Sequence, residues 1–220
     1  MNHFIETILE HHPRDIITDT EVINLFEGSN DRRYGLVKRA LARGDIIHIR
    51  RGLYYLAKKF QRIPLNPFML ANQIYGPSYV SLESALSFHG LIPEAVKTVV
   101  NVCQKNSRLF NTVLGNFDYT QIPQNYFYLG VKQISDSHNQ PFLIATPLKA
   151  LADYVYVHKK NWKNLSEAAH DLRIDVFELY RLHSTDFEIK EAYRNRRVKN
   201  FLSKLYEELS HEQRLDSTTT

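Results

Sequence analysis

The sequence predicts an α+β protein: a small N-terminal unit of helices closed by a β-hairpin, then a mixed α/β region that ends in helices. Three observations predict it. Apolar residues recur at helical spacing over 4–41 and change to a β-branched and aromatic extended pattern over 45–57, with Gly44 at the change. Over 98–144, short extended runs alternate with turn residues at Asn106, Gly115-Asn116 and Pro123-Gln124-Asn125. From Thr146-Pro147 onward the period is helical again.

The elements follow in order. Phe4, Ile5, Ile8 and Leu9 predict a helix over 2–12, which Pro13 ends because proline pushes its predecessor out of the α region. Ile16 and Ile17 start a short extended piece. Thr18 or Asp19 caps a second helix that buries Val22, Ile23 and Phe26 and stops at Gly28. Ser29 or Asn30 caps a third over 31–43. Two strands, 45–50 and 53–57, are joined by a tight turn at Arg51-Gly52. Residues 60–67 read as a linker with Pro64 and Pro67. Further helices are expected at 67–75 and from the Ser81 cap to His89. Strands are expected at 98–104, 108–113, 116–122, 126–132 and 140–144. Helices are expected from 146 to about 160, at 165–172 and 176–182, and as one long element over 188–209. Residues 215–220 are expected to be disordered. The domains are thus 1–62 and 68–214.

Composition sets the outer limits. The chain has 220 residues, 43% hydrophobic and 24% charged, enough for a packed core in one or two domains. A single cysteine, Cys103, excludes an internal disulfide and any zinc site built on several thiolates. Residues 1–10 carry Glu6 and Glu10 and no long apolar stretch, and no apolar run approaches the roughly 20 residues a membrane span needs. A cytoplasmic protein with no membrane contact is expected.

Charge is distributed unevenly. Over 32–62 there are ten basic residues (Arg32, Arg33, Lys38, Arg39, Arg43, Arg50, Arg51, Lys58, Lys59 and Arg62) against one acidic residue, Asp45, in a chain of net charge +4. Such clustering is the electrostatic footprint of a phosphate-binding surface. On a wheel of 100° per residue, Leu36, Val37, Ala40 and Leu41 share one side of the third helix. Arg32, Gly35, Arg39, Ala42 and Arg43 share the other, with Lys38 beside them, and Arg33 falls nearer the apolar arc. Small residues between arginines let a helix approach a backbone closely. Three helices followed by a hairpin is the winged helix-turn-helix arrangement. The third helix would then read the major groove of double-stranded DNA, and Arg50 and Arg51 would reach phosphates or the minor groove. Lys58, Lys59 and Arg62 would add nonspecific attraction. The bland alternative is a solvated basic face.

The motifs resemble a known family. Arg-Gly-Leu-Tyr-Tyr-Leu at 51–56 is similar to the winged-helix domain of AbiEi-type antitoxins of bacterial type IV toxin–antitoxin (abortive infection) systems. Pro-Ser-Tyr-Val-Ser-Leu-Glu-Ser-Ala-Leu-Ser-Phe-His-Gly-Leu-Ile-Pro-Glu at 77–94 resembles that family's central segment, and Ala-Thr-Pro-Leu-Lys-Ala-Leu-Ala-Asp-Tyr at 145–154 the start of its later helix. The resemblance covers about 19–156. A helix ahead of 19 and the stretch from Trp162 onward depart from the family's pattern. The resemblance implies an N-terminal domain that represses its own operon by binding inverted repeats in the promoter, with a dimer or cooperative assembly on DNA. It also implies a C-terminal domain that counteracts a co-encoded nucleotidyltransferase toxin.

Other chemistry is weaker. Ser84 and His89 lie five apart on a helix and point to different sides, so a hydrolytic site around Ser81, Glu83, Ser84 and His89 is not expected. Cys103 reads as a small core residue. Tyr126-Phe127-Tyr128 reads as core rather than a base-stacking platform. The histidines have no metal-site spacing, and there is no P-loop or carboxylate cluster. The expectation is therefore a non-enzyme without cofactor or metal. The basic run 194–199 fits either a solvated helix face or a second binding surface. The runner-up function is a free-standing winged-helix regulator whose C-terminal part senses a ligand or partner.

Overall fold

The computed structural model describes residues 3–93, 97–180, 182 and 184–218. It is α+β and divides into two compact units, Met1–Leu65 with Thr112–Leu114, and Asn66–Asn111 with Gly115–Thr220. No helix among the described residues is long and apolar enough to cross a membrane.

The first unit contains α1 (His3–His11), β1 (Ile16–Thr18), α2 (Asp19–Leu25), α3 (Asn30–Ala42), β2 (Ile46–Arg50) and β3 (Leu53–Leu56), then a 3-10 turn at Lys58–Phe60. The start of α2 is a reciprocal cap. Thr18 Oγ1 accepts from the Glu21 amide, and the Glu21 carboxylate accepts from the Thr18 amide at 2.7 Å. Ser29 caps α3 through the Arg32 amide. The sheet order is β1-β3-β2, all antiparallel. Phe4, Ile5 and Ile8 of α1 meet Val22, Phe26, Val37, Ala40, Ile46 and Leu56 in one core, with the Phe4 and Phe26 rings stacked at 4.9 Å.

The second unit is a six-stranded mixed sheet with helices. Its elements are α4 (Pro67–Ile74), β4 (Ser78–Val80), α5 (Leu82–Phe88), β5 (Thr98–Cys103), β6 (Arg108–Thr112), β7 (Gly115–Gln121), β8 (Val131–Ser135), β9 (Pro141–Ala145), α6 (Pro147–Val157), α7 (Leu165–Leu172), α8 (Val176–Tyr180) and α9 (Arg196–Thr218). A 3-10 segment, Ser184–Ala192, precedes α9. Strand order is β6-β7-β5-β4-β9-β8. β5 and β7 run parallel, and β4 lies antiparallel to β5 and parallel to β9.

Five expectations are corrected. Residues 126–130 are turns rather than strand, because Gly130 takes φ +76° and the Leu129 amide bonds back to the Tyr126 carbonyl. Phe127 there is buried, while Tyr126 and Tyr128 are exposed. The long element expected over 188–209 is broken at 193–195. Tyr193 turns fully inward, and the Asn195 side chain accepts from the Arg197 and Val198 amides, restarting the helix. The three-residue strand β4 was not anticipated, being too short for a periodic signal. Ile23 is half exposed, not buried. α9 continues past Leu215 to Thr218, since no glycine or proline stops it. Of the stretches quoted above, Met1, Asn2, Glu94, Ala95, Val96, Arg181, His183, Thr219 and Thr220 lie outside the described residues.

Candidate nucleic-acid interface

The exposed arc of α3 is set by what its other side buries. Val37 and Ala40 enter the core and Leu36 and Leu41 pack against it, which leaves Arg32, Tyr34, Lys38, Arg39, Ala42 and Arg43 outward. Arg32, Arg39 and Arg43 form one flank of that arc, Tyr34 and Lys38 the other, with Gly35 and Ala42 between. Asp31 lies on the same arc in the first turn, where the positive end of the helix dipole favours it.

The hairpin is tied to α2. The Asp19 amide donates to the Gly52 carbonyl at 3.2 Å, and Gly52 sits at φ +73°. A Cβ at Gly52 would stand 2.8 Å from Asp19 Oδ2, so glycine is needed both for the turn and for the approach. The β2–β3 register shifts between His48 and Arg50, a bulge that re-aims the arm carrying Arg50. Arg51 projects into solvent. Arg50 is half-buried and folds back, its Nη1 donating to the Arg51 carbonyl at 2.8 Å. Between α2, α3 and the hairpin lies a groove of about 360 Å³ lined in part by Asp19, Ile23, Asn30, Tyr34, Arg51 and Tyr54. Burial, and then the negative charge of Asp19, push the Tyr54 hydroxyl above its ordinary pKa, so it stays a neutral donor.

The ten cations of 32–62 divide into two groups. Among the described residues, Arg32, Lys38, Arg39, Arg43, Arg51 and Lys58 form no ion pair. The others are engaged within the fold. Lys59 Nζ meets Asp45 at 2.9 Å. Arg33 Nε donates to the Phe26 carbonyl at 2.7 Å, in keeping with its place near the apolar arc. Arg62 binds Asp15 through Nε at 2.8 Å and through its own amide, and reaches the His12 carbonyl. Arg62 is thus held within the fold, because Asp15 and His12, far away in sequence, supply its partners.

Sequence reasoning missed two features. Tyr34 is 70% exposed on α3 and belongs to the groove; its exposure was legible from its place on the polar arc. The second is a buried polar cluster in the second unit. Lys149 and Asp153 are fully buried on α6, one turn apart, with Nζ 4.0 Å from Oδ1. Asp153 accepts from Tyr79, Ser81, Gln124 and Tyr193, and Lys149 donates to Gln124 at 2.7 Å. Burial lowers the Lys149 pKa, against the pull of Asp153. The signal was present: two charges at i, i+4 in an otherwise apolar helix.

Ser84 and His89 do not meet. Ser84 Oγ accepts from the Val100 amide, while His89 Nε2 donates to the Ala145 carbonyl at 2.8 Å. Cys103 is buried. Arg194 and Arg197 of the second basic run donate to Asn125 and Asn161. Among the described residues no group of three or more His, Cys, Asp or Glu side chains is placed to hold a metal ion. Compared with known proteins, the chain matches no family model and no curated protein.

Proposed function

We propose that the first unit is a winged helix-turn-helix that lays α3 in the major groove of DNA, and that the protein is a promoter-binding repressor. The observation that carries this reading is the division of charge. Six cations on α3, the hairpin tip and the turn after it have no ion pair, while the neighbouring Lys59 and Arg62 are matched within the fold. Six unmatched charges on one small unit are held apart by mutual repulsion and gain from a polyanion. Arg32, Arg39 and Arg43 supply phosphate contacts and register. Tyr34, Lys38 and Asp31 stand where base edges would lie, and a carboxylate there suits the cytosine amino group rather than a phosphate.

The antitoxin part of the proposal, acting against a nucleotidyltransferase toxin, rests on the resemblance at 77–94 and 145–154. A reporter driven by the DNA upstream of the gene tests the regulator. Expression of the protein should repress it, and Arg39→Ala combined with Arg43→Ala should relieve repression at equal protein level. Growth rescue from an adjacently encoded nucleotidyltransferase, unaffected by those two substitutions, would test the antitoxin separately.

A further inference from the structure

We propose that the second unit binds a small organic cation, an amine on an apolar or aromatic body, in a cavity of about 550 Å³ among α5, β5, β7, α6 and α7. The inference stands apart from DNA binding by the first unit. The volume lies within the range of small-molecule sites, and apolar and polar residues share the lining equally, with Arg173 beside three carboxylates. Leu82, Val100 and Leu172 are among the apolar walls, and Tyr154 lines the cavity too.

The sign of the ligand follows from the carboxylates. Three of them line the cavity. Glu83 is matched by His158 at 3.1 Å, and Asp171 by Lys160 at 2.7 Å. Asp118, half-buried on β7, has no side-chain partner among the described residues. A half-buried carboxylate gains most from a partner that brings both positive charge and N–H donors. The backbone is also held in an uncommon state at the rim. Leu82 takes φ +50° and Arg173 φ +54°, both among the residues that line the cavity, although glycine is the residue that adopts this conformation freely. Ser81, fully buried and bonded to Asp153, fixes the first of these.

The chain carries its own reporter. Its one tryptophan, Trp162, stacks on Tyr154 at 5.9 Å and 10°, and its Nε1 donates to Asp171, so occupancy of the cavity should alter its emission. The test is a fluorescence titration of the full chain with 2-phenylethylammonium, its neutral isostere 2-phenylethanol and the anion 3-phenylpropanoate. The expected result is a saturable change with the ammonium ion, at least tenfold weaker binding of the alcohol and weaker still of the carboxylate. Asp118→Asn should lose at least tenfold for the ammonium ion alone. No saturable response, equal binding of amine and alcohol, or preference for the anion would overturn the proposal. So would undiminished binding by a folded Asp118→Asn protein. If that variant does not fold, the three-ligand comparison on the natural chain still decides.

Discussion

Asp15 and Arg62, 47 residues apart in sequence, are joined at 2.8 Å, with the Asp15 carboxylate at 3% exposure. The same carboxylate accepts from the Arg62 amide, and the Asp15 carbonyl accepts from the Leu56 amide. This pair closes the first unit by fastening the segment after the hairpin to the turn after α1. Removing one partner leaves a buried charge or buried donors unmatched. Asp15→Ala should therefore lower the stability of the first unit by about 2–4 kcal/mol, read from urea unfolding. Arg62→Ala should also destabilise, yet leave the salt dependence of DNA binding unchanged. A clear drop in that dependence would return Arg62 to the DNA surface.

A substitution at Gly35 would separate fold stability from the proposed DNA binding. Gly35 lies inside α3 with an ordinary helical backbone, and the nearest atom an added Cβ would meet is Arg39 Nη1, at 3.2 Å. That atom is the far end of an exposed, flexible side chain and can move. Gly35→Ala should raise stability by up to about 1 kcal/mol through helix propensity. If α3 docks on DNA as proposed, the variant should weaken binding, because it fills the gap left for the duplex and displaces the Arg39 guanidinium. Equal or tighter binding by the stabilised variant would argue that α3 does not make a close approach.

The Lys149–Asp153 pair is enclosed, so its partners depend on each other. Lys149→Met alone, leaving Asp153 charged and buried, should cost about 3–5 kcal/mol. Combined with Asp153→Leu, which also leaves the Tyr79, Ser81 and Tyr193 hydroxyls without their acceptor, the loss should be smaller than the sum of the two single losses. Chemical denaturation of the single and double variants measures the coupling. Additive losses would mean the two charges act independently.

Acid should weaken the second unit through His89. Burial, reinforced by Lys132 and opposed by the hydrogen bond to Ala145, lowers its pKa below the ordinary value of about 6.5. The folded state thus holds fewer protons than the unfolded chain. Stability from this group is complete above the ordinary value and is lost as pH falls from there through the lowered folded pKa. Stability profiles between pH 7.5 and 5 should decline, and His89→Gln, which keeps a donor for Ala145, should flatten the decline. An unchanged profile would assign the acid sensitivity to other groups.

The first unit was legible in the sequence because local chemistry specifies it. Thr18 with Glu21, Ser29, Gly44 and the Arg51-Gly52 turn each mark a boundary within a few residues of themselves. The second unit was less legible because its order is set by distant pairings. β4 is three residues long and gains its identity from β5 and β9 on either side. Tyr193 breaks a helical pattern where distant groups hold it: its hydroxyl donates to Asp153 on α6, and its backbone bridges Gln124. At the candidate interface the arginine face of α3 could be read from its period. That Lys59 and Arg62 are already occupied could not, since Asp45 and Asp15 reach them only in the folded chain.

The six unmatched cations of the first unit are proposed to bind DNA, with α3 reading its sequence. Fluorescence anisotropy of the full chain on labelled DNA from upstream of its own gene, with a scrambled duplex as competitor, tests it most directly. With about 4–6 phosphates neutralised, affinity should fall roughly 10²–10³-fold between 50 and 200 mM salt. The scrambled duplex should compete poorly, and Arg39→Ala should reduce the salt slope by about one. Affinity that ignores salt, or that the scrambled duplex abolishes as readily as the upstream sequence, would contradict the account.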